Sequence, residues 1–177
     1  MSNDPVVIVA ARRSPIGSFQ GSLSALAAPD IAATVNRAVL ADSGVAATDI
    51  DEVIYGCVLP AGLGQAPARQ AARGAGIPDH VGATTVNKMC GSGMKSVMLG
   101  HDMLLAGSAG IILAGGMESM SNAPYILPKA RSGFRMGHGK VMDHMFLDGL
   151  ENKDDGRLMG EFAEDTADKY GFPREQQ

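Results

Sequence analysis

Short unbroken apolar runs alternate along this chain with stretches in which apolar residues recur every three or four positions. Val6, Val7, Ile8, Val9 and Ala10 make the first run, Val53, Ile54 and Tyr55 lead into Gly56 and Cys57, and Ile111, Ile112, Leu113 and Ala114 make a third, with Thr84, Thr85 and Val86 a shorter one. Runs of this length without alternation predict strands covered on both faces. Between them the spacing becomes helical. Pro29 suits a first helical position, Ile31, Val35, Ala38 and Val39 share a face, and Gly44 supplies a stop. A second helix is expected from about Pro67 to Gly76, with Pro78 just beyond it. A third is expected from Gly91 to about Ala106, with Met94, Val97, Met98, Leu104 and Leu105 as its apolar stripe. The order strand, helix, strand, helix, strand, helix, strand predicts an α/β fold with a mostly parallel sheet and right-handed crossovers.

The regularity ends after Gly115 and Gly116. Residues 117–160 are rich in Gly, Pro, Met and charge, with weak periodicity, and read as an excursion away from the sheet; a connection this long is normally functional or disordered. Phe162, Ala163, Thr166, Ala167 and Tyr170 then follow helical spacing up to Gly171 and Pro173. The closing Pro173-Arg174-Glu175-Gln176-Gln177 reads as the first turn of a helix with nothing to follow it, and hence as an interruption, although a frayed polar tail has the same pattern.

Composition narrows the class. With 45% hydrophobic and 19% charged residues the chain is too apolar for a disordered protein. Its net charge of −4 comes with scattered basic residues, which disfavours nucleic acid and anionic membrane surfaces as partners. The run at residues 6–10 is too short for a signal peptide and meets Arg12 and Arg13 at once, and no apolar stretch is long enough to span a bilayer. A cytoplasmic location is the expectation. The two cysteines, Cys57 and Cys90, are too few for a disulfide framework and lack metal-ligand spacing.

Cys90 stands out by its surroundings, Asn87-Lys88-Met89-Cys90-Gly91-Ser92-Gly93-Met94-Lys95-Ser96, at the turn from a short strand into the third helix. Unpaired N–H groups and the positive end of a helix dipole favour a thiolate at such a position. Gly91 and Gly93 remove side chains that would block a substrate, and the same N–H groups suit the oxyanion of an acyl intermediate, as in a nucleophile elbow. The competing reading is a small buried hydrophobe. For Cys57, at the end of an apolar strand with no glycine cradle, that inert reading is the one adopted.

The segment from Asn87 to Gly93 resembles the thiolase active-site signature, in which Asn, two further residues and the nucleophilic Cys precede a small residue and Ser-Gly. Three more segments are similar to thiolases in the same order: Ala11-Arg12-Arg13-Ser14-Pro15-Ile16-Gly17, Gly64-Gln65-Ala66-Pro67-Ala68-Arg69-Gln70, and Gly115-Gly116-Met117-Glu118-Ser119-Met120-Ser121-Asn122-Ala123-Pro124. The resemblance covers essentially the whole chain. It implies an α/β/α layered fold with an N-terminal domain over residues 1–119 and part of a CoA-binding loop domain over 120–177, without the family's C-terminal domain. It also implies an acetyl-CoA C-acetyltransferase of fatty acid metabolism, in which Cys90 passes an acyl group between CoA thioesters. Acetyl-CoA with an acyl-CoA or 3-ketoacyl-CoA would be its substrates, with no permanently bound cofactor or metal. Leu158 and Met159 match the CoA-facing part of the loop domain, where Met159 would line the pantetheine tunnel. Many biosynthetic thiolases have His where this chain has Leu158. The segment around Arg69 and Gln70 resembles the family's dimer interface, which implies a homo-oligomer, dimer or tetramer.

Thiolase chemistry also needs a base, which the family supplies from a Gly-His-Pro motif and a second Cys followed by glycines in its C-terminal half. Neither motif occurs here. His80, His101, His138 and His144 match no family position and read as surface or satisfied structural residues. The family completes its first sheet with a strand that follows the loop domain, so an exposed edge is expected. A 177-residue chain is therefore expected to be incomplete for catalysis. The alternatives are an inactive thiolase-like interaction fragment and another condensing enzyme of the superfamily, of the β-ketoacyl synthase or hydroxymethylglutaryl-CoA synthase type, which the motifs after Gly64 and Gly115 disfavour.

Overall fold

Val53, Ile54 and Tyr55 are each at most 4% exposed, so both faces of their strand are covered, as their unbroken apolar run requires. They lie in β1 (Glu52–Gly56), the central strand of a three-stranded parallel sheet. β2 (Gly82–Val86) flanks it on one side and β3 (Ile112–Gly116) on the other, with Ile54 opposite Thr84 and Ala114, and Gly56 opposite Val86 and Gly116. The computed structural model describes residues 5–177. They form two compact units, divided between Ala123 and Pro124.

In the first unit the period of two along β1 sorts the helices into layers. Val53, Tyr55 and Cys57 point into a core with Ala28 and Ala32 of α1 (Ala28–Ser43) and with Ala68, Ala71 and Ala72 of α2 (Pro67–Gly74). Gly56 faces the other way, onto Ser92 and Gly93 at the start of α3 (Ser92–Leu105), and Ile112 and Ala114 lie beside Gly100 of that helix. The result is the parallel sheet that the element order predicts, in the α/β/α layering that the resemblance to thiolases implies.

Local signals set the helix boundaries. α1 begins with Pro29 in its first turn and ends at Gly44, whose φ of 68° lets its N–H reach the Leu40 carbonyl at 3.1 Å. Its most buried ridge is Ala28, Ala32, Ala33 and Asn36, while Ile31, Val35 and Val39 are half-buried and Ala38 is exposed. Asn36 is enclosed together with Tyr55. The Tyr55 hydroxyl donates to Asn36 Oδ1, and Asn36 Nδ2 donates to the Ala71 carbonyl at 3.4 Å, so one polar pair ties α1, β1 and α2. Burial pushes the Tyr55 phenol up to about 12, against the opposing effect of the Asn36 bond. A satisfied buried bond of this kind is worth about 1 kcal/mol, and orphaning one partner costs about 1–3 kcal/mol.

Two expectations are corrected. The strand expected at residues 6–10 does not form: Val7, Ile8 and Val9 are 73%, 81% and 65% exposed. A cavity of about 880 Å³ separates this segment from β3 and is lined by both. An apolar run signals burial, but a ladder also needs a backbone alongside it. The second correction concerns α3, whose expected stripe is exposed at Met94, Val97, Met98 and Leu105 and only half-buried at Leu104. Its buried positions are Ser92, Ser96 and Gly100, spaced four apart. Small residues let the helix approach the sheet closely. A Cβ on Gly56 would stand 2.4 Å from the Ser92 carbonyl carbon, and Ser96 Oγ lies 2.6 Å from both the Gly93 and Gly115 carbonyl oxygens.

In the second unit a short antiparallel pair, β4 (Tyr125–Ile126) and β5 (Met142–Asp143), opens the excursion. One π-turn over Phe146–Leu150 follows, and α4 (Met159–Tyr170) closes the unit at Gly171, φ 68°. Arg157 braces the start of α4, with its guanidinium 2.6 Å from Asp165, 3.3 Å from Glu161 and over the Phe162 ring at 4.4 Å. The final residues form a turn closed by the Gln176 N–H on the Pro173 carbonyl at 3.0 Å. Among the described residues no helix is long and apolar enough to cross a membrane.

Candidate active site

The turn between β2 and α3 is built around a backbone conformation that its sequence does not advertise. Met89 has φ +50°, in the left-handed region where a bulky residue costs about 1–3 kcal/mol unless its surroundings hold it there. Five hydrogen bonds do so. The Met89 N–H donates to Asn87 Oδ1 at 2.9 Å, the Gly91 N–H to the Lys88 carbonyl at 3.2 Å, and the Ser92 N–H to the Met89 carbonyl at 2.9 Å. Buried Ser92 adds a staple: its hydroxyl accepts the Lys88 N–H at 2.9 Å and donates to the Met89 carbonyl.

Cys90 sits at the outside of this turn and is exposed, two residues before α3 begins. Its own amide N–H meets no carbonyl among the described residues, which leaves it available beside the sulfur. A Cβ on Gly91 would meet nothing closer than 3.5 Å, so the space next to the cysteine is open. Gly93 also serves packing, since a Cβ on Gly116 would stand 3.0 Å from the Gly93 Cα. An accessible sulfur on a fixed turn at a helix N-terminus, with a free N–H next to it, has the parts needed for attack on a carbonyl and for holding the resulting oxyanion.

Cys57 is the opposite case. It is 2% exposed, and its thiol donates to Glu118 Oε1 at 3.5 Å. Burial first, then the Glu118 charge and the bond to it, push the Cys57 thiol up to about 12, with the Leu59 N–H opposing. The same Glu118 carboxylate accepts the Val58 N–H at 2.8 Å and the Leu59 N–H at 2.9 Å. In the sequence Glu118 stands only as one residue of the Gly115–Pro124 segment, and a lone Glu two residues after a Gly-Gly pair carries no signal of the turn it holds.

Leu158 and Met159 lie in the second unit, at the start of α4, and are 37% and 43% exposed. The Leu158 N–H donates to Glu161 Oε1 at 3.1 Å. Among the histidines, His80 and His138 are exposed, and His101 is half-buried with its ring 3.6 Å from Asp102. His144 departs from the expectation of a surface or satisfied residue. It is buried, Nδ1 donates to Asp148 at 2.6 Å, and Nε2 has no partner among the described residues. The large cavity beside residues 6–19 does not include Cys90 among its lining residues.

Residues 6–177 match the family model of the thiolase N-terminal domain. The chain belongs to the thiolase family. It is 53% identical over 172 residues to an acetyl-CoA acetyltransferase of Pseudomonas aeruginosa, covering 97% of this chain and 44% of that protein. It is 50% identical over 175 residues to an acetyl-CoA acetyltransferase of Allochromatium vinosum, covering 99% and 44%, and 48% identical over 178 residues to acetyl-CoA acetyltransferase IB of Candida tropicalis, covering 100% and 44%. The chain thus spans less than half the length of these curated relatives, as the first part of each.

The two thiols should differ sharply in reactivity. With its pKa pushed up to about 12, Cys57 stays a neutral thiol at pH 8. Because its folded pKa stands above the ordinary value of 9.0, the neutral thiol favours the fold fully below pH 9, and that contribution is lost as pH rises towards 12. Limited alkylation with iodoacetamide at pH 8, followed by peptide mapping, should label Cys90 before Cys57. Labelling of Cys57 first would overturn the assignment of roles.

Proposed function

We propose that this thiolase-family chain carries the nucleophile of an acetyl-CoA C-acetyltransferase, and that Cys90 is the residue acylated. The observation that carries the reading is the exposed Cys90 sulfur on a stapled turn, beside an N–H without an acceptor among the described residues, in a chain about half identical to proteins named acetyl-CoA acetyltransferase. In the acylation step the Cys90 thiolate attacks the acetyl-CoA carbonyl carbon, a sulfur–carbon bond forms, and coenzyme A leaves as its thiolate. The Cys90 N–H holds the oxyanion between those events. The acetyl group then passes to the α-carbon of a second acetyl-CoA, giving acetoacetyl-CoA and returning the cysteine; thiolysis is the reverse.

On this reading residues 1–119 form the catalytic-cysteine domain and residues 120–177 begin a CoA-binding loop domain, with Leu158 and Met159 against the pantetheine chain. The protein works in the cytoplasm, in fatty acid metabolism, on acetyl-CoA with acyl-CoA or 3-ketoacyl-CoA. Homo-oligomeric assembly, as dimer or tetramer, belongs to the same proposal. It is supported by the exposed apolar residues Met94, Val97 and Met98 on α3 and by the outer edges of β2 and β3. Sedimentation at micromolar concentration should show dimers or larger species, and a stable monomer would contradict this part.

Carbon–carbon bond formation needs, in addition, a base near the acetyl-CoA α-carbon, and such help is typically worth about 10²–10⁴-fold. No residue of these 177 matches the family's base. Incubation with acetyl-CoA should therefore give slow acetylation of Cys90 approaching one acetyl group per chain, read as intact mass and abolished in Cys90→Ala, without acetoacetyl-CoA synthesis or thiolysis. Turnover of acetoacetyl-CoA plus coenzyme A by a pure chain of confirmed mass would contradict this division of labour.

A further inference from the structure

We infer that Glu118 is a positioning residue for Cys90, acting across the carboxyl ends of all three strands; this rests on the reading of Cys90 as the nucleophile. Glu118 follows β3 by two residues. Its carboxylate accepts two N–H groups, of Val58 and Leu59, from the turn that follows β1, and the Cys57 thiol as a third donor. That turn is in turn joined to the segment after β2. The Cys57 N–H donates to the Val86 carbonyl at 3.0 Å, and the Val58 carbonyl receives Asn87 Nδ2 at 3.5 Å. Asn87 then uses its other side-chain atom, Oδ1, to accept the N–H of Met89, the left-handed residue that sets the direction of Cys90.

Each contact takes its carboxylate, amide or thiol in the only sense available to it. A carboxylate accepts and cannot donate, so Glu118 suits a pair of convergent N–H groups. A carboxamide in its place would offer one acceptor oxygen and turn an NH₂ towards the other N–H, and the turn after β1 would lose one of its two anchors. The strain at Met89 makes the consequence reach Cys90, because a residue held at φ +50° relaxes when its support loosens.

Asp51 provides an internal control. Its Oδ2 accepts the N–H groups of Gly110 at 2.7 Å and Ile111 at 2.9 Å, the same kind of clamp, at the opposite ends of β1 and β3 from Cys90. A merely structural carboxylate would behave as Asp51 does. Amide hydrogen exchange on the 177-residue chain separates the two cases. In Glu118→Gln the amides of Met89, Gly91 and Ser92 should exchange about tenfold faster, and the pH–rate profile of Cys90 alkylation should move. Asp51→Asn should change neither. Asn87→Ala, which leaves Glu118 in place, should reproduce the faster exchange at residues 89–92 while Val58 and Leu59 stay protected, and it serves if Glu118→Gln does not fold. Unchanged exchange at residues 89–92 in either variant, or equal effects of Glu118→Gln and Asp51→Asn, would overturn the inference. The exchange result stands apart from Cys90 chemistry: preferential alkylation of Cys57 in the unsubstituted chain would instead refute the nucleophile reading.

Discussion

The seat of α3 on the sheet depends on backbone meeting backbone at Gly56. A Cβ there would lie 2.4 Å from the Ser92 carbonyl carbon and 2.7 Å from the Gly93 nitrogen, distances that no real side chain tolerates. Gly116, opposite Gly56 in the sheet, meets Gly93 in the same way. Two glycines at the carboxyl ends of neighbouring strands therefore make a shallow seat, and the first turn of α3 lies in it. Ser96 and Gly100 continue the small-residue ridge along the helix. Because Cys90 stands two residues before the helix, the seat fixes where the sulfur is presented.

The other face of the sheet follows a related rule with different atoms. Alanines at 28, 32, 68, 71 and 72 bring α1 and α2 close to β1 and to each other, leaving room for a single polar pair, Asn36 with Tyr55. Small residues on both faces keep the layers thin. The carboxyl ends of the strands are then near enough for short side chains to span them, as Glu118 does from the end of β3 to the turn after β1 and Asn87 from the end of β2. The two cysteines divide along these lines. Cys57 is enclosed and kept neutral beside a carboxylate, whereas Cys90 is lifted out on the turn.

Much of this was legible in the residues. Apolar runs marked β1 and β3, Pro29 and Gly44 marked the ends of α1, and Gly171 marked the end of α4, because each signal is local and carries its own mechanism. The parallel α/β order and the turn at Cys90 followed from them, and the layering from the resemblance to thiolases. What sequence did not show is what depends on neighbours. An apolar stripe ordinarily marks a helix's packing face, but α3 packs through Ser92, Ser96 and Gly100, since close approach to glycines selects small residues over large ones. Residues 6–10 have strand composition without a strand, as pairing depends on a second backbone. The burial of His144 against Asp148 and the clamp formed by Glu118 arise from contacts that no spacing rule encodes.

The seat itself is open to a test of sign. In a strand of ordinary backbone conformation, replacing Gly by Ala usually stabilises a protein by about 0.4–1 kcal/mol through the unfolded chain. At Gly56 the overlap with Ser92 and Gly93 should reverse that sign, because forcing atoms into a filled site typically costs about 1–3 kcal/mol. The urea midpoint of Gly56→Ala should therefore fall relative to the unsubstituted chain. An unchanged or raised midpoint would show that α3 does not rest on Gly56, and that the position of Cys90 is set by something else.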